Sequence, residues 1–404
     1  MIDIGWIDFT NEDRKKTLTI LQTLRDEGAV DELGIGVIRD AFADYFFPGT
    51  STLHTRAKYL LLVPYIVSDV LNKRKGKEWE RLLDIIDKKE EECARKMCDK
   101  YGENEGIIGQ DALRQGTWVQ RAPSDIYWNG IRTFKIFDSG DERLSLKNYV
   151  KKYCESKAKD STNPGCSGDD ECGTDDDFEN GNYEDVKNFP VFDIEDVYSD
   201  DWEETLNIAL TRAEAEFLRR KIGESVPNSL MNFVLENEIR MDFGNEEPFR
   251  QLYHCVGKKV SADLASKMKL ASDFNYLVYA ARVFFNEMLG KNDQASSRWE
   301  GINNSDYAKK VECVDIEAIK NLPIMSGKKE ETFNFLNEFK NLFLEGNVKS
   351  LKEKMLKREI DIKGEKRSKL LHPELVEEGS WVGGYELDYR MPDAARVLND
   401  IMDA

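Results

Sequence analysis

Apolar positions recur at intervals of three and four residues through most of the chain, the period of amphipathic helices rather than of strands. Thr10 or Asn11 can cap a first helix carrying Leu18, Leu21 and Leu24, with Gly28 as its stop. A second run covers Leu33 to Phe47 and ends at Pro48-Gly49. Ser51 or Thr52 is expected to open a third, with Leu53, Leu60 and Leu61 on one side and Pro64 as a kink. Trp79 to Lys100 reads as a helix with a charged outer face. Pro123-Ser124 reads as the start of the next, over Asp125 to Phe134, with Ser124 as N-cap.

The period lapses from Lys157 to about Glu204, where Ser, Thr, Asn, Gly, Pro and Asp replace the spaced apolar residues. Such a stretch has too little apolar surface to offset the entropy of ordering and reads as a mobile insertion or linker. Order is expected to return near Phe189-Pro190-Val191-Phe192, whose aromatics can dock on a folded domain. Thr211-Arg212-Ala213-Glu214 is a capping box ahead of Ala215, Phe217, Leu218 and Ile222. Ser261 to Leu289 is predicted as one long helix, with further helices at Glu330–Leu344, Val348–Ile360 and Asp393–Met402. Strand-like alternation is confined to Ile2–Phe9 and Trp381–Tyr389. The expected fold is therefore mostly α and multi-helical, with a short N-terminal strand and a possible C-terminal one. Two helical domains, 1–156 and 205–404, flank the acidic segment 157–204.

Charge changes the picture more than composition does. Asp169 to Glu204 holds sixteen acids and one base, Lys187, hence −15 of the formal −19. The remainder carries only −19 − (−15) = −4, so the rest of the surface can still present basic patches. No apolar run approaches the roughly 18–20 residues that span a bilayer, since Tyr59 to Val67 is short and holds Pro64. Met1 to Trp6 lacks a basic n-region and a small-residue cleavage site. Seven cysteines at irregular spacing fit free thiols in a reducing compartment. These features point to a cytoplasmic protein.

The catalytic templates fail one after another. Gly34-Ile35-Gly36 has Arg39 where a dinucleotide fingerprint needs its third glycine, so these read as helix-entry glycines. Gly327-Lys328 has Leu322 in place of the first phosphate-loop glycine and Lys329 in place of the hydroxyl residue. Asp175, Asp177 and Glu179 suggest a calcium loop, but Asn180 and Val186 occupy the positions of its turn glycine and bidentate glutamate. His54, His254 and His372 lie far apart, and Cys154, Cys166 and Cys172 include no CxxC pair. Asp361-Ile362-Lys363 and Glu155-Ser156-Lys157 match the acid-x-lysine spacing of metal-dependent nucleases, a spacing that a chain this charged produces by chance. No motif calls for a metal or other cofactor.

Basic residues concentrate at Lys349–Lys369, where nine bases face four acids, and more weakly at Lys73-Arg74-Lys75 with Lys77. Such stripes can neutralise phosphates; the alternative is a solvated helix face with pairs such as Glu353–Lys357. Opposite charge in one chain raises a third expectation, that the acidic segment covers this patch and competes with nucleic acid. Candidate anion contacts are Arg39, Arg56, Lys58, Lys363, Lys366, Arg367 and Lys369. For Arg39, Arg56 and Lys58 the alternative role is pairing with Asp40 or Asp44 inside the fold, against anion binding near Gly49-Thr50-Ser51.

The segments Asp31-Glu32-Leu33-Gly34-Ile35-Gly36-Val37-Ile38-Arg39-Asp40, Phe47-Pro48-Gly49-Thr50-Ser51 and Thr55-Arg56-Ala57-Lys58-Tyr59 resemble an uncharacterised bacterial family, the domain of unknown function six-three-six-one. The likeness continues through Pro123 to Gly130, Leu210 to Leu218, Ala271 to Leu289, Trp381 to Gly384 and Leu387 to Arg390. The acidic segment looks like an insertion. The resemblance brings no catalytic residue; it implies a place beside helicases and nucleases of anti-phage defence islands. The expectation is a non-catalytic interaction or scaffold component of a bacterial defence module. It would bind a protein partner, and nucleic acid through its basic patches. The alternative is a nucleic-acid-processing enzyme, a metal-dependent nuclease with a divergent site.

Overall fold

The computed structural model describes residues 31–73, 78–102, 105–138, 140, 144–162, 192–242, 247–328 and 330–404. The expected first helix, the strand at Ile2–Phe9, the Asp175–Glu179 loop, Cys166, Cys172 and the bases Arg74, Lys75 and Lys77 lie outside the described residues. The helices run in chain order as α1 (Gly36–Phe46), α2 (Tyr59–Lys73), α3 (Trp79–Lys100), α4 (Gln110–Arg114), α5 (Pro123–Thr133) and α6 (Leu146–Thr162). They continue as α7 (Arg212–Ser225), α8 (Leu230–Glu236), α9 (Pro248–Val256), α10 (Ala262–Leu289) and α11 (Gln294–Ile302). The last are α12 (Ser305–Glu312), α13 (Ile316–Lys320), α14 (Glu330–Leu344), α15 (Val348–Lys363) and α16 (Met391–Asp403). The fold is mostly α. Among the described residues the single extended pairing is an isolated antiparallel bridge between Phe137 and Phe192.

Two compact units interleave along the chain. The described residues of the first lie within 1–42, 245–258 and 265–387, and those of the second within 43–244, 259–264 and 388–404. This differs from the sequential division into 1–156 and 205–404. The reason is visible at Arg56 and Lys58, which pair with Asp400 and Glu214 and so tie residues of both expected domains into the second unit. An acidic composition marks poor apolar content and does not mark a domain border.

In the second unit α2 is buried on nearly every side and packs against α3 and α5. It begins at Tyr59, not at Ser51 or Thr52. The amides of Thr55 and Arg56 are bonded to the Tyr127 hydroxyl at 2.8 and 3.1 Å, and that of Ala57 to Asp400 at 2.8 Å. Leu53 is consequently exposed. Pro64 lies within the helix. Residues 192–204, which composition assigns to a linker, are folded into this unit. Phe192 packs on Trp128, Phe137 and Tyr149 with ring centroids 5.2–6.1 Å apart, and Ile194 and Trp202 are buried. Enough apolar residues are interspersed among these acids to anchor the backbone.

The N-terminus of α5 departs from its sequence signal. Ala122 is the N-cap and Pro123 holds the first helical position. Ser124 does not cap. Its amide, one of the orphan donors of the first turn, and its hydroxyl bond to the two oxygens of Glu90 at 2.7 and 3.0 Å. Glu90 belongs to the buried stripe of α3, with Leu82, Ile86, Cys93, Ala94 and Met97. Burial pushes its pKa up to about 8 despite the Ser124 bonds, and Asp87 and Asp125 add to the rise. A carboxyl raised from 4.5 stabilises the fold fully below 4.5, and that contribution is lost as pH climbs through about 8. Glu90→Gln keeps an acceptor for the amide and a donor for the hydroxyl without the titration. In urea denaturation it should gain stability relative to the wild type between pH 5 and pH 8.5; parallel pH profiles would show that Glu90 is ionised in the fold.

Candidate functional site

A cleft of about 560 Å³ opens in the first unit, with Asp31, Glu32, Arg39, Arg282, Lys369 and Trp381 among its walls. The first wall is the entry to α1. Asp31 accepts from the Leu33 amide at 3.2 Å and from the Gly36 amide, fixing the turn that starts the helix. Gly34 sits at φ +68°, and a Cβ there would lie 2.7 Å from the Arg358 guanidinium. That guanidinium donates to the Leu33 carbonyl at 2.9 Å and to the Thr332 hydroxyl at 2.8 Å. The glycines therefore serve helix entry and close approach, not a phosphate loop.

The second wall rests on two buried acids. Glu32 accepts from Lys363 and Lys369, each at 2.7 Å. Burial pushes its carboxyl up, but the two ammonium groups override this and hold its pKa below the usual 4.5. Glu359, fully buried, accepts from the Ser368 hydroxyl and the amides of Lys369 and Leu370 at 2.7–3.0 Å. It thereby folds the chain back after α15 and aims Lys369 at Glu32.

The third wall, residues 375–383, is held by a polar stripe on α10. Asn275, Arg282 and Asn286 are spaced seven and four residues apart, so all three share one face of the helix. The Asn286 amide bonds the carbonyl and the N–H of Val382 at 2.9 and 2.8 Å. Asn275 does the same to Leu387, both at 3.0 Å, and Arg282 donates to the Tyr385 carbonyl at 2.6 Å. This is why Trp381–Tyr389 forms no strand despite its alternation: its backbone partners are side-chain amides on a helix. Trp381 stacks on Tyr385 with centroids 5.1 Å apart, and the Arg298 guanidinium lies 4.7 Å from the Tyr385 ring.

Of the candidate anion contacts, the cleft brings Arg39 and Lys369 together and adds Arg282. Arg39 also pairs with Asp40 at 3.0 Å. Arg56 pairs through Nε with both oxygens of Asp400, at 2.9 and 3.0 Å, rather than with Asp40 or Asp44. Asp44 takes Arg390 instead, at 2.6 Å. Lys58 is buried against Glu214 at 2.5 Å. The Gly49-Thr50-Ser51 turn is closed internally, with the Thr50 hydroxyl on the Phe47 carbonyl and Arg390 on the Thr50 carbonyl.

The basic stripe is likewise largely internal. Five of its nine bases have fixed tasks: Lys354 meets Glu338, Arg358 the Leu33 turn, Lys363 and Lys369 Glu32, and Arg367 the Lys363 carbonyl. The other four, Lys349, Lys352, Lys357 and Lys366, are exposed and have no acid within 4 Å among the described residues. Glu353 and Lys357 form no ion pair.

Neither acid-x-lysine triplet gathers. Residues two apart point to opposite sides of a helix, and Lys363 turns to Glu32 while Asp361 is exposed. Glu155 reaches Lys151 instead, at 4.0 Å. Among the described residues no three His, Cys, Asp or Glu side chains are grouped to hold a metal. His54 is a core residue, stacked 4.1 Å from Tyr127 and bonded to the Ile126 carbonyl. Burial lowers its pKa to about 4, so it packs neutral. His254 lies in the last turn of α9, and His372 lies 3.1 Å from Glu374. Cys93, Cys98, Cys154, Cys255 and Cys313 carry free thiols. No helix among the described residues is long and apolar enough to cross a membrane.

The match to known proteins falls on the N-terminal part of the chain. Residues 1–158 match the family described as Family of unknown function (DUF6361). That region holds the resembling segments from Asp31 to Gly130, whereas those from Leu210 onward lie beyond it. No curated protein and no solved structure matches the chain.

The α10 stripe is the feature that sequence reasoning missed; its signal was three polar residues on one face of the largely buried C-terminal half of the helix. Asn286→Ala strands the Val382 N–H and carbonyl and should cost about 2–4 kcal/mol. In urea denaturation a loss under about 0.5 kcal/mol would mean that the loop is not held by this clasp.

Proposed function

We propose that the protein is a non-catalytic binding component whose cleft receives a segment of a protein partner. The supporting observation is the cleft's mixed charge: Arg39, Arg282 and Lys369 share it with Asp31, Glu32 and Glu377, and Leu375 stands 58% exposed at its edge. A phosphate backbone entering there would meet carboxylates, whereas a polypeptide brings both signs and an apolar anchor for Leu375. That the partner belongs to a bacterial defence module is what the family resemblance implies, and it forms part of the same proposal.

A second reading has its own support. Lys349, Lys352 and Lys357 on α15, with Lys366 just beyond it, present charge that pairs with no acid among the described residues. Nucleic acid binding there would release counterions and fall steeply with salt. The nuclease alternative has no comparable support, since Lys363 is tied to Glu32 and Glu155 reaches Lys151.

The two readings separate in one experiment. The full chain is immobilised, exposed to lysate of its native host, and washed with and without nuclease. The partner-protein reading predicts retained protein that survives nuclease and drops at least tenfold with Leu375→Asp, while reversal of the four lysines to Glu leaves it unchanged. Retention that vanishes with nuclease and with the lysine reversal, but not with Leu375→Asp, would replace it with the nucleic-acid reading.

A further inference from the structure

A second cavity, of about 380 Å³, lies within the second unit and is unrelated to the cleft above. Its walls include Lys58, Tyr65, Tyr198, Trp202, Asn207 and Glu214. The rings surround it from different angles: Tyr65 lies 5.7 Å from Tyr198 at 69° and 5.9 Å from Trp202 at 46°. An aromatic wall of this kind favours a ligand that carries a ring.

The polar groups of the wall are unevenly satisfied. The acceptors are taken. Glu214 receives Lys58 and Tyr65 on one oxygen and the Thr211 amide on the other, closing the capping box of α7. The Asn207 oxygen receives the Tyr101 hydroxyl and the Ala209 amide. Donors are left over. Trp202 is 95% buried, and its indole N–H is a buried donor with no partner among the described residues. A buried donor in that state calls for an explanation, because leaving it without an acceptor is unfavourable. The Lys58 ammonium has three protons and a single partner, Glu214. The Asn207 amide nitrogen, turned away from the groups that its oxygen accepts, has none among the described residues. Trp202 thus lacks an acceptor, and Lys58 and Asn207 beside it have N–H groups to spare.

Net charge limits the ligand. Lys58 is balanced by Glu214, and Asp196 at the wall is paired with Arg220. The pocket is close to neutral and offers nothing to offset a second negative charge. We infer that this pocket, through Trp202, Lys58 and Asn207, binds a small planar ring carrying carboxylate or carbonyl acceptors, with one negative charge at most. An aromatic carboxylate is the simplest such compound. Its ring lies among Tyr65, Tyr198 and Trp202, and its oxygens take the three donors.

The test uses the full chain with nitrogen-15 in its tryptophan indoles, the Trp202 signal being assigned by its disappearance in Trp202→Phe. Benzoate is the charged probe, uracil the neutral one and inorganic phosphate the control. Saturable movement of the Trp202 N–H signal with benzoate or uracil, and not with phosphate, is expected; which of the two acts tells whether the natural acceptor is charged. Titration calorimetry with the same probes should show Trp202→Phe weakening the binding about tenfold, the worth of one hydrogen bond. Because that variant also alters packing, Asn207→Ala at the half-buried rim is measured beside it and should weaken binding several-fold. A Trp202 signal that stays still with both probes at millimolar concentration, or moves equally with phosphate, overturns the inference.

Discussion

An ion taken out of water costs several kcal/mol unless an opposite charge or several hydrogen bonds meet it, and this constraint decides where the bases of this protein go. Lys58 meets Glu214, Lys363 and Lys369 meet Glu32, Arg250 meets Glu386 through two bonds of 2.6 and 2.9 Å, and Arg56 meets Asp400. Each pair joins segments far apart in the chain, so the charges double as ties that set the fold. A base used in this way is withdrawn from the surface. The stretch from Lys349 to Lys369, the most basic in the chain, accordingly presents to solvent four lysines that form no ion pair among the described residues, rather than nine.

The same economy applies to backbone groups. With no sheet among the described residues, irregular segments must find partners elsewhere, and they find side chains on helices. Asn275 and Asn286 take the place of a neighbouring strand for residues 382–387. Glu359 gathers the amides of Lys369 and Leu370, and Glu90 serves the first turn of α5. Polar residues buried in apolar helix faces are thus the joints of this architecture, and the cleft of the first unit is a consequence of two of them.

Much of the helical framework was legible in the sequence. The capping box at Thr211 is present as written, Trp79–Lys100 has the bounds its period predicts, and Phe192 docks where aromatics follow the acidic run. Local signals succeed where the deciding interaction spans a few residues. They fail where it comes from afar: Ser124 reads as a cap until Glu90, 34 residues away, claims it, and Trp381–Tyr389 reads as a strand until α10 claims its peptides. The candidate site was legible in part. Arg39 is recognisable as a charged residue beside apolar helices and Lys369 as part of the basic stripe, but the partner of Lys58 lies 156 residues further on, and nothing local marks Arg282 or Trp202.

The central claim, that buried bases are held as structural ties by acids distant in sequence, is tested most directly by a double-mutant cycle between Lys363 and Glu32. Stability to urea is measured for Lys363→Met, Glu32→Gln and the double variant. The account predicts that each single change is destabilising, by about 3 kcal/mol where a buried charge is left behind. The double variant should recover a coupling energy of about 1 kcal/mol or more. Additive effects, together with a Lys363→Met protein as stable as the wild type, would contradict it and return Lys363 to the list of groups that await an anion.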